Sequence, residues 1–164
     1  MELYLLRHAI AVARGTTGIE DDSLRPLTDK GAKKMRRIAQ GMLALRFSVD
    51  AIYSSPYVRA RQTAEIVADA FKPHQRLELT PHLAVAGSPR DLIEHVARAR
   101  HDSVMLVGHE PYLSALASML IAGMEHAAIT LKKGGLCKLT APELGYGRCA
   151  TLEWLLTPRI LAAL

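Results

Sequence analysis

Four residues of this chain carry side chains suited to one task, holding and attacking a phosphoryl group. They are the Arg7-His8 pair, Arg59 and His109. Arginine presents a planar fork that binds phosphate oxygens in pairs and keeps its charge at any working pH. A neutral imidazole nitrogen is a competent nucleophile near pH 7. It attacks phosphorus through one nitrogen while the other is held as an N–H donor, usually to a backbone carbonyl. A second histidine, as imidazolium, can neutralise charge developing on the equatorial oxygens. Helix N-termini add backbone N–H groups aimed at the anion. Phosphoryl transfer asks mainly for positioning and charge stabilisation, so such a set suffices without a metal.

None of these residues means much alone. An Arg-His dipeptide is common, and Arg59 could be a solvated helix residue as Arg61 is expected to be. The combination depends on the elements that carry it. Glu2 to Arg7 is a short apolar run that reads as a buried strand, followed by a long polar loop to about Arg25. Thr28 caps a helix that runs to about Leu45, with Met35, Ile38, Met42 and Leu45 on one face. A second strand, Asp50 to Tyr53, stops at Ser54-Ser55-Pro56 and leads into a helix from about Tyr57 to Phe71. Arg76 to Leu79 is a third strand. Ser88-Pro89 opens a helix to about Arg100, cap before proline. Ser103 to Val107 is the most strand-like run, ended by Gly108-His109-Glu110-Pro111, and Tyr112 to Ala122 is a buried helix. Ala128 to Lys132, Gly135 to Thr140 and Cys149 to Leu155 read as strands joined by glycine-rich turns.

This alternation predicts an α/β fold: a single-domain three-layer sandwich over residues 1–164. Its central sheet is mainly parallel, with helices on both faces and an antiparallel C-terminal edge. Ligands of open α/β sheets bind outside the carboxyl ends of the strands. Three such ends would then aim two arginines and two histidines at one place.

Bulk properties agree. The 164 residues, 49% hydrophobic, suit one domain with a real core and argue against disorder. No apolar run approaches the ~20 residues that span a bilayer. The N-terminus reaches charge too soon for a signal peptide, which makes the cytoplasm the expected location. Cys137 and Cys149 are too few for a disulfide framework and read as small thiols in a reducing compartment. The formal charge of +5 biases the surface toward anionic ligands, but its cations are spread along the chain and aromatics are only 5%, so no nucleic-acid partner is expected.

Leu6-Arg7-His8-Ala9 resembles the signature of the histidine phosphatase superfamily, also called phosphoglycerate-mutase-like. Residues Ser54 to Thr63 resemble its second motif, S-S-P-x-x-R-A-x-x-T, and Val107-Gly108-His109-Glu110-Pro111 its third. Leu24-Arg25-Pro26-Leu27-Thr28-Asp29-Lys30-Gly31 is similar to the R-P-L-T-x-x-G of the small bacterial branch of SixA-type phosphohistidine phosphatases. The resemblance runs from residue 3 to about 120. It implies that His8 is the phosphorylated nucleophile, that Arg7, Arg59 and His109 complete the phosphate pocket, and that no metal or other cofactor takes part. Arg25, Ser55 and Glu110 are the further candidates for substrate binding.

Two positions depart from the family pattern. Ala9 stands where glycine is commoner, which is tolerable if the backbone there does not need positive φ. Many relatives place a glutamate after the third strand as general acid, and this chain reads Pro81-His82-Leu83. His82 is a candidate acid or a surface loop histidine; Glu110 and the cluster Glu20, Asp21, Asp22 are other candidates. A phosphohistidine expels imidazole, which takes up a proton at pH ~6.5 without help, so a weak acid position favours it over an alkyl phosphate. The leading expectation is a phosphatase for phosphohistidine on a signalling or phosphotransfer protein. The alternatives are a broad phosphatase of small phosphorylated metabolites and a binding module without turnover. A mutase would need a site that retains and reorients its product.

Overall fold

The computed structural model describes residues 1–71, 76–124 and 126–164. Six strands form one mixed sheet: β1 (Glu2–Arg7), β2 (Ala51–Ser54), β3 (Arg76–Leu79), β4 (Ser103–Gly108), β5 (Leu136–Thr140) and β6 (Thr151–Leu156), in the order β3-β2-β4-β1-β5-β6. The first four are mutually parallel; β5 runs antiparallel to β1, and β6 antiparallel to β5. Among the described residues five helices accompany them: α1 (Asp29–Ala44), α2 (Val58–Phe71), α3 (Pro89–Arg98), α4 (Tyr112–Ala122) and α5 (Pro158–Leu161). None is long and apolar enough to cross a membrane.

The two-residue period of a strand turns continuous apolar runs into two separate cores. Leu3 and Leu5 of β1, with Val104 and Leu106 of β4, pack against Leu92 and Val96 of α3 and Leu113 and Leu116 of α4. Tyr4 and Leu6, with Met105 and Val107, face the other way, onto Met35, Ile38 and Met42 of α1, Ala60 and Ala64 of α2 and Leu161 of α5. The middle layer is the sheet, and the expected three-layer α/β architecture is the one observed.

The caps are where the residue types require them. Thr28 Oγ1 accepts from Gly31 N–H at 2.9 Å, and Ser88 Oγ accepts from Asp91 N–H at 3.3 Å ahead of Pro89. Gly31 also does something a cap does not need. A Cβ there would lie 2.1 Å from the carbonyl oxygen of Ile10, which itself accepts from Thr28 N–H at 3.0 Å. The first turn of α1 thus lies directly against the chain leaving His8. Gly31→Ala is expected to destabilise the fold by about 1–3 kcal/mol despite alanine's better helix propensity, because a backbone must shift. A thermal melt checks this, and an unchanged or higher Tm would contradict it.

Two expectations are corrected and one element was not anticipated. Residues 128–132 form no strand. Both edges of β1 are taken, by β4 and β5, and the free edges of the sheet belong to β3 and β6. This segment instead buries Leu131 in the core and offers its carbonyl to the Arg7 guanidinium at 2.9 Å. The last strand begins at Thr151 rather than Cys149, since the N–H groups of Cys149 and Ala150 both reach the Leu120 carbonyl at 2.9 Å, at the end of α4. Thr157-Pro158, beyond the last expected strand, opens the short α5 with a cap-then-proline signal like that of α3.

Candidate active site

Strand β4 lies between β1 and β2, so the three strand ends with unusual residues are neighbours. Pairing continues one step beyond the strands: His8 N–H donates to the Gly108 carbonyl and Ser55 N–H to the Val107 carbonyl, each at 3.0 Å. The chains leaving β1, β2 and β4 therefore depart side by side.

His8 is 6% exposed and its ring is held at both nitrogens. Nδ1 lies 2.7 Å from the Ala9 carbonyl oxygen, which can only accept, so Nδ1 carries the proton. Nε2 then holds the lone pair, and Arg59 Nε donates to it at 3.3 Å. Burial pushes the imidazole down to about 3, against the Ala9 carbonyl, which favours the cation; His109, Arg59 and Arg7 add repulsion. Ala9 N–H donates to Thr63 Oγ1 at 3.0 Å, and Thr63 Oγ1 donates to the Arg59 carbonyl at 2.7 Å. Ala9 does not adopt the left-handed backbone that would demand glycine, so its methyl is accommodated.

Arg59, in the first turn of α2, is 2% exposed. Besides His8, its guanidinium reaches the Asp22 carbonyl at 2.6 Å through Nη1 and Asp22 Oδ2 at 2.9 Å through Nη2. Asp22 is a hub: its Oδ1 also accepts from Arg25 Nε and Arg14 Nε, both at 2.9 Å. Burial would raise its carboxyl, but the hydrogen bonds and charges of Arg14, Arg25 and Arg59 outweigh that and hold it at about 2. Arg7 donates through Nη1 to the Leu131 carbonyl, and its buried Nε has no partner among the described residues.

His109 packs its ring 5.1 Å from that of His8, centroid to centroid, and its Nε2 lies 2.8 Å from Ser55 Oγ. Ser55 Oγ accepts from Tyr57 N–H at 3.2 Å, which leaves its own proton for His109. Burial, then the Arg59 charge, lower His109 to about 4. The expected imidazolium is thus a neutral ring in this structure, because it shares a dry pocket with guanidinium groups. Its Nδ1 has no partner among the described residues.

Both rings resist protons that an unfolded chain would take up near pH 6.5. Stability therefore falls as pH drops below about 6.5, where the unfolded state binds more protons than the native one. Ring NMR of the two histidines is expected to show neutral imidazoles down to pH 5; a titration midpoint near 6.5 for His8 would contradict this.

A cavity of about 300 Å³ is lined by Arg7, His8, Arg25, Arg59, His109 and Glu110. Three buried polar atoms without partners belong to this lining: Arg7 Nε, His109 Nδ1 and Glu110 Oε1. Buried polar atoms are normally satisfied, and these three are placed where polar atoms of a ligand in the cavity could meet them. A second cavity of about 390 Å³ shares Arg14, Arg25 and Val85 with the first and adds Ile19, Glu20 and Tyr57. Among the described residues no group of His, Cys, Asp and Glu is disposed to hold a metal ion.

The four residues singled out first are therefore brought together, with Arg25 and Glu110 beside them. Ser55 stands behind His109 rather than on the cavity wall. His82 lies off the cavity: its ring sits 6.1 Å from that of His95, on α3. Thr80 caps a 3-10 turn over Pro81–Leu83 in which Leu83 takes the buried position, and this turns His82 aside. Asp21 is exposed and caps the turn Asp22–Leu24, and Glu20 lines only the second cavity. Reading the residues missed Arg14 and Lys133, which also line the first cavity, and the binding of arginines by Asp22; an acidic residue three before Arg25 was the available signal.

Comparison with known proteins places the chain in a family. The family model described as histidine phosphatase superfamily (branch 1) matches residues 3–84. An uncharacterized protein of Picosynechococcus sp. is 37% identical over 148 residues, covering 85% of this chain and 84% of the relative. Phosphohistidine phosphatase SixA of Escherichia coli K12 is 26% identical over 161 residues, covering 96% and 94%. Among solved structures, a proposed phosphohistidine phosphatase SixA from Agrobacterium tumefaciens superposes with a TM-score of 0.77 at 30% identity, covering 96% of this chain and 97% of the other. The chain belongs to branch 1 of the histidine phosphatase superfamily and is a SixA-like phosphatase.

Proposed function

We propose that the chain hydrolyses phosphohistidine on a protein through a phosphoryl group carried on His8. The observation that carries the mechanism is the setting of the His8 ring: Nδ1 lies 2.7 Å from the Ala9 carbonyl, which fits a neutral ring protonated there, and Nε2 lies against Arg59 in the cavity that Arg7 and His109 also line. The phosphoryl oxygens take the open N–H positions of Arg7 and Arg59, and the Arg59 Nε donor moves from Nε2 to an oxygen as the bond to phosphorus forms. The unpartnered Nδ1 of His109 accommodates another oxygen. A dianion beside it favours the imidazolium, so His109 gains charge as substrate binds rather than before. Water then attacks phospho-His8 and releases phosphate.

Support for the protein-borne substrate is twofold. SixA of Escherichia coli aligns along nearly the whole chain. The cavity next to the phosphate site is framed by loop residues, with Arg14 largely exposed and Val85 half-exposed, so a bulky group can reach it from solvent. A phosphohistidine-bearing protein, p-nitrophenyl phosphate and a panel of sugar phosphates, offered side by side, test the reading. The phosphoprotein is expected to give the highest kcat/KM; a clear preference for a sugar phosphate would overturn the substrate and leave the nucleophile untouched.

A further inference from the structure

We propose that Glu110 is the proton donor to the leaving group and then the proton acceptor from water, a role that rests on phospho-His8 being the intermediate. Among the described residues it is the one carboxyl group lining the phosphate cavity. Ser114 Oγ, in the first turn of α4, lies 2.5 Å from its Oε2 and 2.9 Å from the Pro111 carbonyl, and this hydrogen-bonded pair fixes the side chain. Its Oε1 is buried and has no partner among the described residues. A half-held carboxyl with one free oxygen beside a nucleophile is the geometry a proton carrier needs.

The other carboxyl groups are placed for different work. Asp22 is bound by Arg14, Arg25 and Arg59 and stays an anion, whereas burial pushes the Glu110 carboxyl above its ordinary range. The Ser114 hydroxyl and the Arg7 charge act against that rise without cancelling it. The surroundings drive the two carboxyl groups apart, and Glu110 is the one shifted toward the protonated form. The charged or titratable groups sharing the cavity with Glu110 are Arg7 and His8 at the end of β1, Arg14 and Arg25 from the loop that follows, Arg59 from α2, His109 from the same loop and Lys133 from the turn before β5.

The proton balance is complete within these groups. In the first step the His8 Nε2–P bond forms, the bond from phosphorus to the leaving atom breaks, and the Glu110 proton goes to that leaving nitrogen or oxygen. In the second, a water oxygen bonds to phosphorus, the Nε2–P bond breaks, and the water proton returns to the Glu110 carboxylate. Phosphate leaves and His8 is neutral again.

Glu110→Gln tests the assignment because it keeps the size of the side chain and removes the proton. Rates are measured on 2,4-dinitrophenyl phosphate, whose leaving group needs no proton, and on an alkyl phosphate, whose leaving group does. The variant is expected to lose about 10²–10³-fold on the alkyl ester and far less in the burst phase with the dinitrophenyl ester. Phospho-His8 should also accumulate in the variant, since water loses its base. Equal loss on both esters, in a protein with wild-type circular dichroism and a phospho-His8 burst, would overturn the role of Glu110 alone. Absence of phospho-His8 from the wild-type enzyme as well would overturn the underlying mechanism with it.

Discussion

His8→Ala is expected to reduce turnover of every phosphorylated substrate by about 10⁴-fold or more, since nucleophile and intermediate vanish together. The protein should remain folded. The lost ring is nearly buried, but the pairing of β1 with β4 and β5 runs through the backbone. Binding should also survive, because Arg7, Arg25 and Arg59 stay in place. Inorganic phosphate is therefore expected to bind the variant with near-wild-type affinity, measurable by calorimetry. Full activity in the variant would contradict the mechanism; loss of activity and phosphate binding together would mean that His8 is chiefly a binding residue.

Arg59→Ala is the second large effect, on the order of 10²–10³-fold in kcat/KM. The guanidinium does three things at once. Its Nε donates to the lone pair that the Ala9 carbonyl leaves on His8 Nε2, its Nη groups fix the loop through Asp22, and its remaining N–H positions are the ones proposed to take phosphoryl oxygens. Arg59→Lys should recover little of this. A compact ammonium keeps the charge but cannot span His8 and Asp22 together. The loop itself should persist in either variant, since Arg14 and Arg25 still hold Asp22. If Arg59→Lys matched the wild type, charge alone rather than the planar fork would account for the residue.

The framework was legible because its signals are local. The apolar run Leu3 to Leu6 is buried on both sides, as a central parallel strand must be, and the chemistry-bearing residues stand where those runs stop. Arg7, His8, Arg59 and His109 could be grouped from strand ends alone. What was not legible depends on neighbours distant in sequence. The stretch Ala128 to Lys132 has strand-like residues but no sheet edge to join. His82 follows β3 as a family acid would, yet one 3-10 turn carries it toward His95. The neutral state of His109 follows from the guanidinium groups and burial around it, neither of which a Gly-His dipeptide displays. Asp22 stands in a run of three acidic residues, and its partners arrive from Arg14 and Arg59 as well as the nearby Arg25.

The claim on which all of this depends is that phosphorus is carried on Nε2 of His8. Rapid quenching under alkaline conditions, followed by mass spectrometry and ³¹P NMR of the trapped protein, reads both the residue and the nitrogen. The account predicts a single acid-labile phosphoryl group on His8, bonded to Nε2, because Nδ1 keeps its proton against the Ala9 carbonyl. A phosphoryl group on Nδ1 or on another residue, or turnover with no phosphoenzyme at all, would contradict it.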